Sequence, residues 1–168
     1  MAKLGQRVEL TSLDMSMMGY PMHLQGHTFQ VGGMTVAPSH ALTEETMKLQ
    51  SDYSFAETVD RLKTAITGKG MTVFAEIDHR AAAASVGLDM PPTTVIVYGS
   101  PKAGTPLMIA APDFALELPL RVLVREQDGT AFVTFNEAET FKGKHGLPDP
   151  LTDNLAPAEK LISGTIKR

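Results

Sequence analysis

The chain of 168 residues contains no cysteine, so disulfide bonds, thiolate metal sites and thiol nucleophiles are all excluded. It has no run of about 18 apolar residues, which a membrane-spanning helix needs. Residues 1–7 also lack the apolar stretch that follows the basic residues of a secretory signal. The cytoplasm is therefore the default expectation, with the periplasm as the alternative if the chain is part of a longer exported precursor.

Basic residues are not clustered anywhere along the chain, and the formal net charge is -4. Proteins that coat nucleic-acid phosphates derive much of their affinity from clustered Lys and Arg. The composition therefore predicts no nucleic-acid partner. With 43% hydrophobic and 20% charged residues, the chain is typical of one globular domain plus an extension.

Residues 19–31 carry the most distinctive motif, Gly-Tyr-Pro-Met-His-Leu-Gln-Gly-His-Thr-Phe-Gln-Val. With its flanking residues, from about 4 to 33, it resembles the last cupredoxin domain of the multicopper oxidases, whose pattern is His-Pro-Met/Phe-His-Leu-His-Gly-His. The first, fourth and sixth positions of that pattern carry copper, and here they are Tyr20, His23 and Gln25. Because Tyr and Gln cannot replace neutral imidazole and the blue-copper thiolate is missing, multicopper oxidase activity is excluded.

Two histidines of this segment stay candidate metal ligands. His23 survives as a family ligand, whereas His27 matches a closing histidine that does not bind copper in the family. Neighbouring methionines are soft donors suited to Cu(I), yet a tight site needs a full ligand set and its supporting shell. A relic without metal is favoured over a weak or shared copper site. A third interpretation is that this apolar strand pair stabilises a homodimer.

Glycine and proline residues indicate where the predicted strands and the predicted domain end. Residues 7–13 and 28–31 predict two short strands, which Gly32-Gly33 and the following linker interrupt. The boundary is placed near residues 34–43, which gives an N-terminal β extension at 1–43 and a main domain at 44–168.

In the main domain the residue patterns alternate between strand and helix. Strands are predicted at 46–50, 71–77, 93–98, 118–126 and 131–135, the last two joined by the hairpin signal Asp128-Gly129. A capping box at Ser54 and Glu57 opens a helix that ends at Gly68 to Gly70. Shorter helices are predicted at 79–86, 107–111, 137–144 and 157–167. This order favours an α+β fold over a doubly wound sheet.

A second resemblance rests on blocks spread over residues 44–168. These blocks are Asp78-His79, Pro91-Pro92-Thr93, Gly99-Ser100-Pro101-Lys102-Ala103-Gly104-Thr105-Pro106-Leu107-Met108, Leu118-Pro119-Leu120-Arg121-Val122-Leu123-Val124 and His145-Gly146-Leu147. Together they resemble domain-of-unknown-function family 302, which most often has Asn where Ser100 stands. The resemblance implies helices packed on one face of an antiparallel or mixed sheet, as in TATA-binding-protein-like folds, and a homodimer. It implies no settled biochemical activity.

One candidate anion site is the segment around Gly99, Lys102, Gly104 and Thr105. It follows a predicted strand and precedes a predicted helix, where free backbone amides can hold an anion, with Lys102 as the charged partner. It departs from a phosphate loop because Thr105, and not Lys, follows the second glycine. Simple turning and capping of the chain is the favoured alternative.

His79 and His145 are the candidate cofactor ligands. Asp78 can orient the His79 imidazole for metal, haem or proton transfer, although helix capping alone explains that aspartate. His145 is expected near a helix C-terminus, where a cation is favourable without any function. A single imidazole is enough for an axial bond to haem.

The sequence therefore leaves two hypotheses of function. The first is a dimeric, non-catalytic module that binds a small or anionic molecule or another protein. The second is a copper or haem protein with redox activity that uses His79, either alone or with His23 and His27. No nucleophile elbow, zinc-protease motif or dinucleotide fingerprint is present, so an enzyme is not the favoured interpretation.

Overall fold

The computed structural model describes residues 29–31, 34–36 and 46–168, and the chain divides into the units Met1–Leu42 and Thr43–Arg168. In the first unit, β1 (Phe29–Val31) pairs antiparallel with β2 (Met34–Val36). The two residues between them are glycines, a composition that two-residue hairpin connections favour. The second strand of this pair was not expected, and the strand expected at 7–13 lies outside the described residues.

The second unit contains five strands and five helices joined by short turns. The strands are β3 (Thr46–Gln50), β4 (Thr72–Asp78), β5 (Thr93–Gly99), β6 (Leu120–Gln127) and β7 (Thr130–Asn136). The helices are α1 (Phe55–Gly68), α2 (His79–Ser85), α3 (Pro101–Ala110), α4 (Asp149–Thr152) and α5 (Ala156–Thr165). Short 3₁₀ turns connect several of them, including Pro112–Leu116 and Lys144–Gly146.

The five strands form one antiparallel sheet in the order β3-β7-β6-β5-β4. Helices α1 and α5 pack on one face of it, where Leu62, Ile66 and Ile162 meet Ile96 and Val133, all fully buried. Every fully buried strand residue lies on this face, since alternate residues of a strand point to opposite sides. The α+β class and the packing of helices on one face are confirmed.

Local sequence signals explain where α1 and the β6–β7 hairpin begin and end. Oγ of Ser54 accepts a 3.4 Å hydrogen bond from the Glu57 amide, and Oε2 of Glu57 accepts one from the Ser54 amide. This is the predicted capping box. In the hairpin, Asp128 and Gly129 have φ of 53° and 74°, the left-handed pair that matches the twist of the two strands.

Two predicted helices differ from the observed ones. Helix α3 starts at Pro101 and not near Pro106, because Ser100 is the N-cap and Pro101 occupies the first turn, where a proline's missing N–H costs nothing. The helix expected at 137–144 is only a 3₁₀ turn, Ala138–Phe141. The chain cannot continue helically there, since Lys142 is extended and Gly143 is left-handed with φ of 69°.

Strand β4 is an edge strand and is less covered than its alternating pattern predicts. Val73 packs against the core beneath α1, but Phe74 is 52% exposed and Ile77 43% exposed. A β-bulge between Val73 and Ala75 interrupts the pairing with β5. A bulge of this kind is common at sheet edges, where it bends the strand and discourages further pairing.

A second apolar cluster lies beneath α3 and the turns that follow it. Its buried members are Leu107, Ala111, Phe114, Phe141, Leu147 and Leu155. Leu120 at the start of β6 contacts both this cluster and the main core. The two clusters therefore hold α3 and α5 at fixed positions beside the same end of the sheet.

Candidate functional site

A groove of about 720 Å³ lies between the first turns of α3, helix α5 and the start of β4. This volume falls in the range of pockets that hold small molecules. We name it the α3–α5 groove. Its apolar lining includes Met71, Leu118, Leu120, Leu155, Pro157, Ala158 and Leu161, and its polar lining includes Lys69, Ser100, Asn154, Lys160 and Thr165.

Small residues shape the walls of the groove. Gly104 of α3 is buried, and a Cβ placed there would lie 3.1 Å from Cδ1 of Leu118, which is tighter than ordinary van der Waals contact. Gly164 of α5 has open space where its Cβ would be. Ile162 anchors α5 in the core and Ala158 contributes to both the core and the groove, while Lys160, Leu161 and Gly164 also line the groove.

The charge of the groove has one sign. Lys69 and Lys160 line it, and none of its lining residues in the described part of the chain is Asp or Glu. Neither lysine takes part in an ion pair within residues 46–168. The groove therefore combines an apolar lining with two cations at exposed positions.

Only some residues of the predicted anion site line the α3–α5 groove. Gly99 and Gly104 line the α3–α5 groove, whereas Lys102 and Thr105 are exposed residues of α3 outside its lining. The expected loop is the N-terminus of a helix, and the Ser100 cap already engages the Ala103 amide. Ser100 accepts hydrogen bonds from the Ala103 amide, at 3.0 Å to its carbonyl oxygen and 3.4 Å to Oγ.

His79 is the exposed first residue of α2. The neighbouring Asp78 caps that helix, since its Oδ1 accepts a 2.9 Å hydrogen bond from the Ala81 amide. A carboxylate bound to the helix N-terminus stabilises the helix without any partner histidine. The observed hydrogen bond of Asp78 is thus to the backbone, as the capping interpretation expected.

His145 joins two turns of the second apolar cluster. Its Nε2 lies 3.0 Å from Oε1 of Glu117, and its ring meets Phe114 edge-on with centroids 6.4 Å apart. It sits in the Lys144–Gly146 turn with φ of 52°, and not at the end of a regular helix as expected. Its side chain is 28% exposed.

The structure does not bring His79 and His145 together. Asp78 pairs with Thr94 at the start of β5, so His79 lies beyond that end. Glu117, the partner of His145, comes just before Leu120, which pairs with Tyr98 near the other end of β5. No group of three metal-ligating side chains occurs in residues 46–168. His23 and His27 lie outside the described residues, and the copper and haem hypotheses stay predictions.

A much smaller cavity, of about 20 Å³, adjoins the groove through Leu120 and Leu155. This is room for about one water molecule. Tyr98 lines it and is 2% exposed, and burial, with the Glu159 carboxylate as a smaller cause, raises the pKa of its phenol. Tyr98 is therefore neutral at neutral pH.

Of the site residues predicted from the sequence, Gly99 and Gly104 line the groove, and the other lining residues were not identified. Lys69, Lys160 and Leu161 carry no motif, because they come from a helix end and from α5, whose approach to α3 is set by tertiary packing. The one available signal was the small residues Gly104 and Gly164, which interrupt helices that larger residues would favour.

Comparison with known proteins identifies relatives by sequence and a similar solved structure. Two proteins described as "Fluoride-specific ion channel FluC 1", from Brucella suis and Brucella abortus, are 37% identical to this chain over 118 residues. The match covers 70% of this chain and 45% and 43% of those proteins, so the chain spans less than half of their length. None of the described helices is both long and apolar enough to cross a membrane.

A solved structure supports the fold. The crystal structure of an uncharacterized conserved protein DUF302 from Bacillus stearothermophilus has a TM-score of 0.65 at 17% sequence identity. The similarity covers 74% of this chain and 97% of that one.

Two family models match the chain. The model described as "Multicopper oxidase" matches residues 1–82, beyond the segment 4–33 that carried the resemblance. The model described as "Domain of unknown function DUF302" matches residues 47–165, and the two overlap over β3, α1 and β4. The second match includes residues of all five strands of the main sheet and all five helices, so the chain belongs to the DUF302 family.

Proposed function

We propose that this protein is a non-catalytic binding module whose α3–α5 groove holds a small amphiphilic molecule with one anionic group. The observation that carries the proposal is the apolar groove of about 720 Å³ with Lys69 and Lys160 and no carboxylate among its described lining residues. Apolar pockets with a few placed polar groups are the usual form of small-molecule sites.

The lining also favours binding over catalysis. General acid–base and nucleophilic catalysis commonly use His, Cys, Asp or Glu, and none of these is among the described lining residues. Lys69 and Lys160 are exposed, so they are suited to attract an anion and not to act as desolvated nucleophiles. Ser100 is engaged in capping α3.

The size of the groove distinguishes an amphiphile from a small inorganic ion. Fluoride, the ion in the descriptions of the Brucella relatives, would leave most of the apolar lining without contact. An alkyl chain would instead remove that lining from water, which contributes about 25 cal/mol for each Å² buried. We therefore expect a medium-chain carboxylate to bind and fluoride not to compete with it.

A displacement assay tests the proposal. Anilinonaphthalene sulfonate serves as the fluorescent probe, and dodecanoate, dodecanol and fluoride are added as competitors. Gly164→Leu should weaken dodecanoate binding by about tenfold, because its side chain enters the groove from an open position. Gly68→Leu is the matched control, since Gly68 also has open space at its Cβ but does not line the groove.

A second variant tests whether Lys69 and Lys160 recognise the anionic group of the ligand. Lys69→Gln with Lys160→Gln should weaken dodecanoate by about three- to tenfold, as expected for two exposed ion pairs, and leave dodecanol binding unchanged. Equal displacement by dodecanoate in wild type and Gly164→Leu would refute the groove as the site. An equal loss for dodecanol in the lysine variant would refute recognition of the anionic group.

A further inference from the structure

The face of the sheet opposite α1 and α5 is a second surface, on which apolar, polar and basic side chains lie in rows across the strands. Paired residues place Ile77, Val95, Leu123, Thr134 and Lys48 in one row across all five strands. Adjacent rows add further residues, which include Val97, Arg121, Arg125 and Phe132. We name these nine residues the open sheet face. None of them is fully buried.

The open sheet face carries charge of one sign although the whole chain is acidic. Its charged residues are Lys48, Arg121 and Arg125, and no strand residue of this face in β3 to β7 is Asp or Glu. The whole chain has a net charge of -4. A local excess of three cations gives this face a positive potential, which favours an acidic partner over a basic one.

Phe132 shows how the cations are arranged. Nζ of Lys48 lies 4.6 Å from the centroid of its ring, and the guanidinium carbon of Arg125 lies 5.6 Å from it. Cation–π contacts of this kind hold the charges against the apolar surface. They also occupy the ring, which is the part of an aromatic side chain on which a nucleic-acid base would stack. The arrangement therefore favours an acidic polypeptide over single-stranded nucleic acid.

We propose that the open sheet face docks an extended acidic segment of another protein, in which the side chains that face the sheet include both carboxylates and apolar groups. Its carboxylates pair with Lys48, Arg121 and Arg125, and its apolar side chains cover Val97, Leu123 and Ile77. In an extended segment only every second side chain faces the sheet, so we expect carboxylates and apolar side chains to alternate among the side chains on that one side. This binding is separate from the α3–α5 groove.

The test uses a fluorescein-labelled peptide of repeated Glu-Glu-Val-Val, which places glutamate and valine alternately on each side of an extended chain, with fluorescence anisotropy as the measurement. Binding to the full chain should be saturable and should weaken as salt is added, because exposed charges are screened. The substitutions Lys48→Glu and Arg121→Glu together should weaken it by at least about tenfold. Lys102→Glu with Lys144→Glu is the control, since it changes the net charge equally at residues outside the face.

Thermal unfolding checks that the variants fold. The neutral substitutions Lys48→Gln and Arg121→Gln together should weaken peptide binding by a smaller factor than the charge reversals. The proposal is overturned if the charge-reversed protein binds the peptide as tightly as wild type. It is also overturned if an oligothymidylate binds more tightly than the peptide, or if the face proves to associate with a second copy of the chain. Sedimentation of wild type and the charge-reversed variant identifies that last outcome.

Discussion

The backbone amide of Arg168 donates a 3.0 Å hydrogen bond to Oδ2 of Asp52, which fixes the last residue of the chain to the loop between β3 and α1. Nearby, Nζ of Lys167 donates to the carbonyl oxygen of Gln50 at 2.8 Å, and the Asp52 amide donates to the carbonyl oxygen of Ile166 at 3.0 Å. The end of α5 is thus attached to edge strand β3. This attachment keeps the buried Ile166 in the core.

Asp52→Asn should reduce the acid sensitivity of the fold. The hydrogen bond from the Arg168 amide, aided by the Lys167 charge, lowers the pKa of Asp52 below its ordinary value of 3.8. A carboxyl whose pKa is lower in the folded state stabilises the fold above its unfolded pKa and loses that contribution as the pH falls. Urea midpoints measured from neutral pH to below 3.8 should therefore fall more steeply for wild type than for Asp52→Asn.

The control for this measurement is Asp89→Asn, which alters an exposed carboxylate that takes part in no ion pair within residues 46–168. Its pH profile should follow that of wild type. If Asp52→Asn and wild type lose stability in parallel, the attachment of the C-terminus does not depend on this charge.

Leu62→Ala should destabilise the protein by about 2–5 kcal/mol, because it leaves a cavity between α1 and the sheet. Leu62 is fully buried in the main core. The comparison is Leu116→Ala, at a residue that is 75% exposed, which should change the free energy of unfolding by less than about 0.5 kcal/mol. Chemical denaturation measures both, and similar values would contradict the assignment of the core.

Tyr98→Phe should make the fold less sensitive to alkaline pH. Burial raises the pKa of the Tyr98 phenol above its ordinary value of 10.0, so the unfolded chain releases this proton at a lower pH than the folded protein. The fold therefore loses stability as the pH rises above 10.0, and the phenylalanine variant should lose less. Unfolding midpoints at neutral pH and above 10.0 give the comparison, with Tyr53→Phe as control. A decline in Tyr98→Phe as steep as in wild type would contradict this role for burial.

Titration with haem or Cu(II) tests the histidine hypotheses on the full chain. Because His79 is exposed at the start of α2 and Nε2 of His145 already contacts Glu117, we expect neither His79→Ala nor His145→Ala to remove a saturable absorption change. Loss of a stoichiometric change in His79→Ala would contradict this and support an axial ligand there. If a change occurs and is lost only in His23→Ala with His27→Ala, the site belongs to the N-terminal segment.

Much of the main domain follows from local sequence because its elements carry strong local signals. The capping box at Ser54, the Asp128-Gly129 turn and the β-branched run 93–98 each specify one element through hydrogen bonds or backbone angles between near neighbours. The start of α3 was misplaced because Pro101 and Pro106 give the same first-turn signal. In the observed helix, which starts at Pro101, Ser100 is the N-cap and Leu107 is buried.

The sequence by itself determined the family and the α+β class, since these depend on residue types and on spacing along the chain. Only the tertiary structure decided where surfaces form. The α3–α5 groove requires α3, α5 and the start of β4 to meet, and the open sheet face requires the register of five strands. Lys48 and Arg125 are far apart in the chain and become neighbours only through Phe132, because strand pairing joins β3, β7 and β6.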